Sequence, residues 1–344
     1  MPTGKLLSSN NSCTLRIALS LEKMLNAVLI DTSMLFSLSG FFLASYAIVA
    51  NDAIQTLGTF LSSNTKKPWW LLWAFACTLL TIVIVYSWVF NAGDVSYGRL
   101  AHIPSPKYFN WVYVIPPIVL LTITKFGIPA STTFLVLSIF STDIIIKKML
   151  VKSFVGYIVA FIVAIIVYRF VSALLEKHFL ETNRSPNNIW VGAQWISTGF
   201  LWSQWLIQDL ANIFAFLPRR LGLNDLIFAL LVMYALHAFV FIRRGGEIQK
   251  IVTNKINTAD IRSATIVDIV YGIILFFFKE LSQIPMSTTF IFVGLLAGRE
   301  VAIIYRLKLY PFSQVFKKVG PDAFKVLAGV FISLVLAVCL TYFK

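Results

Sequence analysis

Charge is what this sequence has least of. Only 13% of its 344 residues are Asp, Glu, Lys or Arg, against about 25% in an ordinary soluble domain. A chain so poor in charge cannot cover itself with a solvated surface. Histidine and cysteine are scarce too, with 3 of each. His102, His178 and His237 stand far apart, so they make no cluster of general bases or metal ligands. Cys13, Cys77 and Cys339 are odd in number and scattered, which excludes a disulfide framework and the paired spacing of a thiolate metal site. No Gly-rich phosphate loop of the Walker type is present. Little is left to suggest an enzyme.

What the sequence has is apolar length. Hydrophobic residues make up 58% and aromatic residues 15%, and the mean hydropathy is +0.81. These values place the chain in a lipid bilayer. The net charge of +14 does not point to nucleic acid, because the Lys and Arg lie mostly between apolar runs, where they meet lipid headgroups and set orientation. They divide almost evenly between the two sides, so orientation is weakly specified.

Taken in order, residues 1–33 are mixed. Leu15–Leu21 reads as part of a short amphipathic helix at the membrane surface, without the cleavage site of a signal peptide. Met34–Phe60 is a long apolar run interrupted by Asn51-Asp52 and Gln55. Trp69–Phe90 is long enough to cross a bilayer. After a polar loop, Trp111–Thr124 and Ser131–Ile146 are two shorter pieces joined at Gly127-Ile128-Pro129. Each would rise about 20 Å, too little for a hydrocarbon core of ~30 Å, which predicts a re-entrant helical hairpin. Lys147, Lys148 and Lys152 are expected at the surface, and Phe154–Leu175 crosses again.

The order then restarts. Ile189–Phe216 is interrupted by Gln208-Asp209 and Asn212, Asp225–Ile242 crosses, Ala264–Leu281 and Ser287–Tyr305 form a second pair broken at Ile284-Pro285, and Ala323–Phe343 is a last span. The predicted fold class is an all-α integral membrane protein, multi-pass, built of two repeats over 34–175 and 189–344 with a linker at 176–188. Each repeat has three transmembrane helices, the first interrupted, and a re-entrant hairpin. Three crossings is an odd number, so the second repeat is inverted relative to the first.

Two motifs recur at corresponding places. Ile128-Pro129-Ala130-Ser131-Thr132-Thr133-Phe134 returns as Ile284-Pro285-Met286-Ser287-Thr288-Thr289-Phe290, differing only at Ala130 and Met286. Proline breaks one helix and serine caps the next. The new helix starts with unpaired N–H groups, hydroxyls and the positive end of its dipole, which suits an anion. A single copy is an ordinary cap, whereas paired interruptions in two halves point to a transporter binding site at mid-membrane. Ser131, Thr132, Thr133, Ser287, Thr288 and Thr289 are therefore candidate anion ligands.

The second motif aligns Asn51-Asp52-Ala53-Ile54-Gln55 with Gln208-Asp209-Leu210-Ala211-Asn212. Each has an amide, an Asp, and a further amide three residues on, sharing a helix face. An Asp within an apolar span is costly and marks function by default, although one copy alone would suit an interfacial cap. Carboxylate, amide and carbonyl oxygens suit Na⁺, so Asn51, Asp52, Gln55, Gln208, Asp209 and Asn212 are candidate cation ligands. Either Asp would also accept a proton from a protonated oxyanion. Asp143 and Glu300 correspond as well and read as solvated interfacial residues, and Lys125 either tunes the anion site or snorkels to the interface.

Together the motifs resemble the inorganic phosphate transporter family, the sodium- or proton-coupled phosphate permeases. That family carries Gly-x-Asn-Asp-x-Ala-Asn-x-x-Gly-Thr and Pro-x-Ser-Thr-Thr-His in both halves. Here Val49–Thr59 matches the first pattern in part, ending in Gly58-Thr59, and the second half keeps Asp209-Leu210-Ala211-Asn212. Gln55 and Gln208 stand where Asn is usual, and Phe134 and Phe290 replace both histidines, so the chain resembles a diverged member. The resemblance implies a symporter of phosphate coupled to Na⁺ or H⁺, with Asp52 and Asp209 serving both cation and phosphate. It implies the two Ser-Thr-Thr runs as phosphate ligands, a homodimer in a plasma or bacterial inner membrane, and no other cofactor. Some relatives are sulfate permeases, which keeps another tetrahedral oxyanion as the alternative. A channel or structural membrane protein would not need duplicated half-helices with matching Asp motifs.

Overall fold

The computed structural model describes residues 28–125, 130–182, 188–245 and 261–307, with isolated positions at 249 and between 320 and 340. The Leu15–Leu21 segment, the first tip at Ile128-Pro129 and about half of the last expected span, Ala323–Phe343, lie outside these residues. Every regular element among the described residues is helical.

Helix α1 runs Val28–Ser63 without a break. Its expected interruption is a π-helical turn at Val49–Ala53, which carries Asn51 and Asp52. Such a turn inserts one residue into the helix and disturbs the i→i−4 ladder, a device found mostly at functional sites. Helix α2, Trp69–Phe90, follows extended Pro68 and closes at Asn91. It is apolar on all sides, and Trp70, Ile82, Tyr86 and Phe90 are exposed, as suits a lipid-facing span.

The first hairpin begins with a short 3₁₀ turn at Trp111–Val114, capped by the Asn110 side chain. Helix α3, Ile115–Lys125, carries Pro116 and Pro117 in its first turn, where a missing N–H costs nothing. Helix α4 is only Thr132–Leu137. The expected arm to Ile146 is thus shorter: the chain turns at Ser138–Ser141, and α5 then runs Asp143–Thr182 as one helix. Lysine is a good helix former, so Lys147, Lys148 and Lys152 do not break the helix. Lys147 and Lys148 are exposed, while Lys152 Nζ donates to the carbonyls of Ser282 and Ile284, both at 2.9 Å, at the second tip.

Helices α6, Asn188–Phe214, and α7, Leu223–Ile242, follow. The second hairpin is α8, Ile261–Leu281, and α9, Thr288–Leu307. Its arms are longer than those of the first. Helices α1, α2, α5, α7 and α8 are long and apolar enough to cross a membrane.

Two helix pairs run antiparallel. Ser37, near the start of α1, donates to the carbonyl of Phe216 just past α6, and Asn64, just past α1, donates to Gln194 near the start of α6. Leu221 N donates to Gly93 O at 2.9 Å beyond the end of α2, while Arg244, beyond α7, donates to Lys67 O before α2. The hairpins pack differently. Gly294 and Gly298 bring α9 against α5 so closely that an added Cβ would lie 2.5 Å from Tyr157 O and 2.2 Å from Phe161 O. Small residues four apart permit this approach in membrane helices.

Candidate functional site

The helix caps follow from the tip sequences. Ser131 Oγ accepts from Phe134 N at 3.3 Å, and Ser287 Oγ accepts from Phe290 N at 3.4 Å. Each serine holds one otherwise orphaned N–H of a new helix. The threonines that follow reach across the molecule. Thr133 Oγ1 donates to Met286 O at 3.1 Å, and Thr289 Oγ1 donates to Ala130 O at 3.3 Å. Ala130 and Met286 hold the same place in their two motifs, so the tips exchange equivalent hydrogen bonds. Phe134 and Phe290 meet beside them, with ring centroids 5.9 Å apart.

Asp52 sits on the π turn, fully buried. Its Oδ1 accepts from Asn51 Nδ2 at 2.7 Å, Gln55 Nε2 at 3.3 Å and Thr289 at 3.5 Å, and its Oδ2 accepts from Thr132 Oγ1. Asn51 Nδ2 also reaches Ala130 O at 3.0 Å. Asp209, equally buried, accepts at Oδ1 from Asn212 Nδ2 at 2.8 Å and Thr133 at 3.4 Å. Asn212 Nδ2 further donates to Thr132 and Thr133, both at 3.2 Å. Thr288 lies beside Asp209, and its backbone carbonyl accepts from Tyr271 at 3.1 Å. Gln208 differs from its counterpart Asn51: its amide nitrogen donates away from this cluster, to Leu275 O at 3.1 Å.

The sequence-named residues other than Gln208 thus form one polar cluster inside the protein. Three of its neighbouring oxygens, Gln208 Oε1, Asp209 Oδ2 and Asn212 Oδ1, have no hydrogen-bond partner. Buried acceptors left in this way ask for a cation or an O–H donor. The donors are hard oxygens, and among the described residues no group of three or more His, Cys, Asp or Glu could hold a metal ion. Such a set suits a monovalent cation rather than a transition metal.

Lys125 and Asp143 are exposed and stand apart from this cluster. Two buried residues were passed over by the sequence pattern. Asp268 on α8 accepts from Thr59 at 2.6 Å and from Thr198 at 2.5 Å, tying α1, α6 and α8 together. Its signal was an Asp within an apolar run, but the first hairpin's leading arm has no acidic counterpart. Thr59, the last residue of the Gly58-Thr59 match, is spent on this tie. The other is Arg99, in the loop after α2, with 1% of its surface exposed. An arginine in a polar loop gives no sign in sequence that it turns inward.

Among the described residues the architecture is all-helical, with five helices long and apolar enough to cross a membrane and a buried polar centre. No protein-family model matches the sequence, and no characterised protein matches it in sequence. Among solved structures, the chain is similar to the sodium-dependent phosphate transporter, with a TM-score of 0.56 and 16% identity, over 91% of this chain and 100% of that one. At that identity the likeness establishes the fold, and it is the fold of a phosphate transporter.

Proposed function

We propose that the protein is a secondary-active transporter of inorganic phosphate, coupled to a cation gradient. Na⁺ is the favoured ion and H⁺ the alternative. Phosphate would be held between the two hairpin tips by Thr132, Thr133, Thr288 and Thr289 and the helix starts that Ser131 and Ser287 cap, with Asp52 and Asp209 beside it. The observation that carries this reading is the joining of the first tip to both carboxylates and of the second tip to Asp52, with Thr288 beside Asp209, in one buried cluster that leaves acceptor oxygens over for a cation. Two buried carboxylates are costly without cations, so an anion would enter together with them. Asn51 and Gln55 would serve the first cation position. Asn212 and the free oxygen of Gln208 would serve the second.

The antiparallel pairing of α1 with α6 and of α2 with α7 supports reading 34–175 and 189–344 as inverted repeats joined through 176–188. A multi-pass protein of a plasma or bacterial inner membrane, working as a homodimer, fits this reading. The deciding measurement is uptake of labelled phosphate into liposomes containing the purified chain. Saturable uptake that rises with an inward Na⁺ gradient is expected. Flux that is not saturable and ignores the cation gradient would instead indicate a channel.

A further inference from the structure

We propose that Arg99 is an oxyanion-binding residue, acting opposite Asp209 so that a protonated tetrahedral oxyanion is read by one donor and one acceptor. The inference rests on the transporter reading and adds a charge that neither repeated motif contains.

The loop that carries Arg99 is built to aim it. Asp94 Oδ1 accepts from Ser96 N at 2.7 Å and Ser96 Oγ at 2.6 Å, and Oδ2 accepts from Gly98 N at 2.7 Å. These bonds tighten a turn in which Tyr97 and Gly98 both have positive φ, 55° and 74°. Tyr97 Oη donates to Val83 O at 2.7 Å, anchoring the turn to α2. Gly98 lies so close to Gln283 of the second tip that an added Cβ would be 2.9 Å from Oε1. The next residue, Arg99, then points inward. Its Nε donates to Ile207 O at 2.8 Å, two residues before Asp209.

That bond leaves the guanidinium unsatisfied. Nη1 has no partner, and Arg99 makes no ion pair with a described residue. A buried guanidinium is costly unless its donors and charge are answered. Burial lowers its pKa to about 10, with Asp209 and Glu280 opposing the shift, so it stays a cation at neutral pH. Lys152 is the other cation acting on this place, but its ammonium already serves Ser282 O and Ile284 O. Glu280 is half-exposed and paired with Lys279 at 2.9 Å. That leaves Asp209, whose Oδ2 is itself without a partner. The two unmatched groups are complementary to a species with both a bare anionic oxygen and an O–H. Hydrogen phosphate has both.

The test is titration of inorganic phosphate into the purified full chain in Na⁺, for wild type, Arg99→Gln and Arg99→Lys. Losing a hydrogen bond to a charged group predicts a phosphate Kd raised about tenfold to a hundredfold in Arg99→Gln, with Arg99→Lys between it and wild type. Na⁺ binding in the absence of phosphate, read by tryptophan fluorescence, should not weaken, because a like charge has been removed. A purely structural role would weaken both. If wild type binds no phosphate, the transporter reading itself fails. Wild-type phosphate affinity in both variants overturns only the role of Arg99. Should neither variant stay folded, phenylglyoxal modification of wild type followed by peptide mass spectrometry decides. Phosphate should protect Arg99, and an equal rate of modification with and without phosphate overturns the proposal.

Discussion

Thr133 and Met286 belong to opposite halves of the chain and are joined by a 3.1 Å hydrogen bond from the threonine hydroxyl to the methionine carbonyl. The reverse link, Thr289 to Ala130, is 3.3 Å. Each hairpin therefore closes the other. Buried backbone carbonyls outside regular helix need partners, and here Met286 O and Ala130 O find theirs on the opposite tip. A movement that separates the hairpins must replace both bonds, and a bound oxyanion or water would do so.

The antiparallel helix pairs make a topological prediction. Cysteines placed at exposed Ser105, after α2, and at exposed Arg243, after α7, should react with an impermeant thiol reagent from opposite sides of the membrane. Labelling of both from the same side would remove the inverted-repeat arrangement.

Asp52→Ala and Asp209→Ala should each reduce Na⁺-driven phosphate uptake to background while the protein still reaches the membrane. On the proposed function each carboxylate would act through the cation it holds, so its loss would appear as lost coupling. Full uptake with unchanged Na⁺ dependence in either variant would reassign that residue to packing.

How far the sequence led is clearest in this pair. The Asp motifs and the hairpin tips stood out because they occur twice, and repetition separates a built site from a single helix cap. The π turn under Asp52 left no such mark, since an inserted residue changes hydrogen-bond register without changing composition. Asp268 and Arg99 occur once each, so the comparison of halves passed over them. The first hairpin's second arm ends at Leu137 because the chain turns at Ser138–Ser141, a turn with no Gly or Pro to mark it in the sequence, and Lys147 and Lys148 belong to the helix that follows. Gln208 matched Asn51 by position, but its longer side chain carries its amide to Leu275 O.

Thr132 bridges the two amide–carboxylate motifs, donating to Asp52 and accepting from Asn212. Thr132→Ala and Thr288→Ala should each weaken phosphate binding. The loss of one hydrogen bond to a charged acceptor is about 1.5–3 kcal/mol, or roughly tenfold to a hundredfold in Kd. Thr132→Ala should also weaken Na⁺ binding, since it frees Asp52 and Asn212 from a shared partner. If both variants bind phosphate as wild type does, the helix N–H groups alone hold the anion or the site lies elsewhere.

The close contact of α9 with α5 predicts a stability effect away from the polar cluster. Gly298→Ala would push a methyl group against the Phe161 carbonyl, 2.2 Å from the new Cβ. Backbone cannot yield as a side-chain tip can, so the variant should lose about 1–3 kcal/mol. Gly192→Ala, which meets nothing within 4 Å, is the control. Thermal unfolding in detergent should separate the two, and equal midpoints would show that α9 shifts at no cost.

The last prediction concerns which oxyanion moves. Phosphate and sulfate match in size and shape, but phosphate near neutral pH keeps at least one proton and sulfate keeps none. The tips alone, offering N–H and O–H donors, would take either. Asp52 already accepts from Asn51, Gln55, Thr132 and Thr289, whereas Asp209 Oδ2 has no donor. That oxygen can accept the phosphate O–H, but it meets a bare sulfate oxygen with like charge. Rejection of a group that cannot pair amounts to several kcal/mol in buried sites. Excess sulfate should therefore leave phosphate uptake by the wild type unchanged. Asp209→Asn presents an N–H in place of the charge, so sulfate should compete for whatever phosphate binding this variant retains in equilibrium titrations. Strong inhibition of the wild type by sulfate would instead favour a sulfate permease on the same fold.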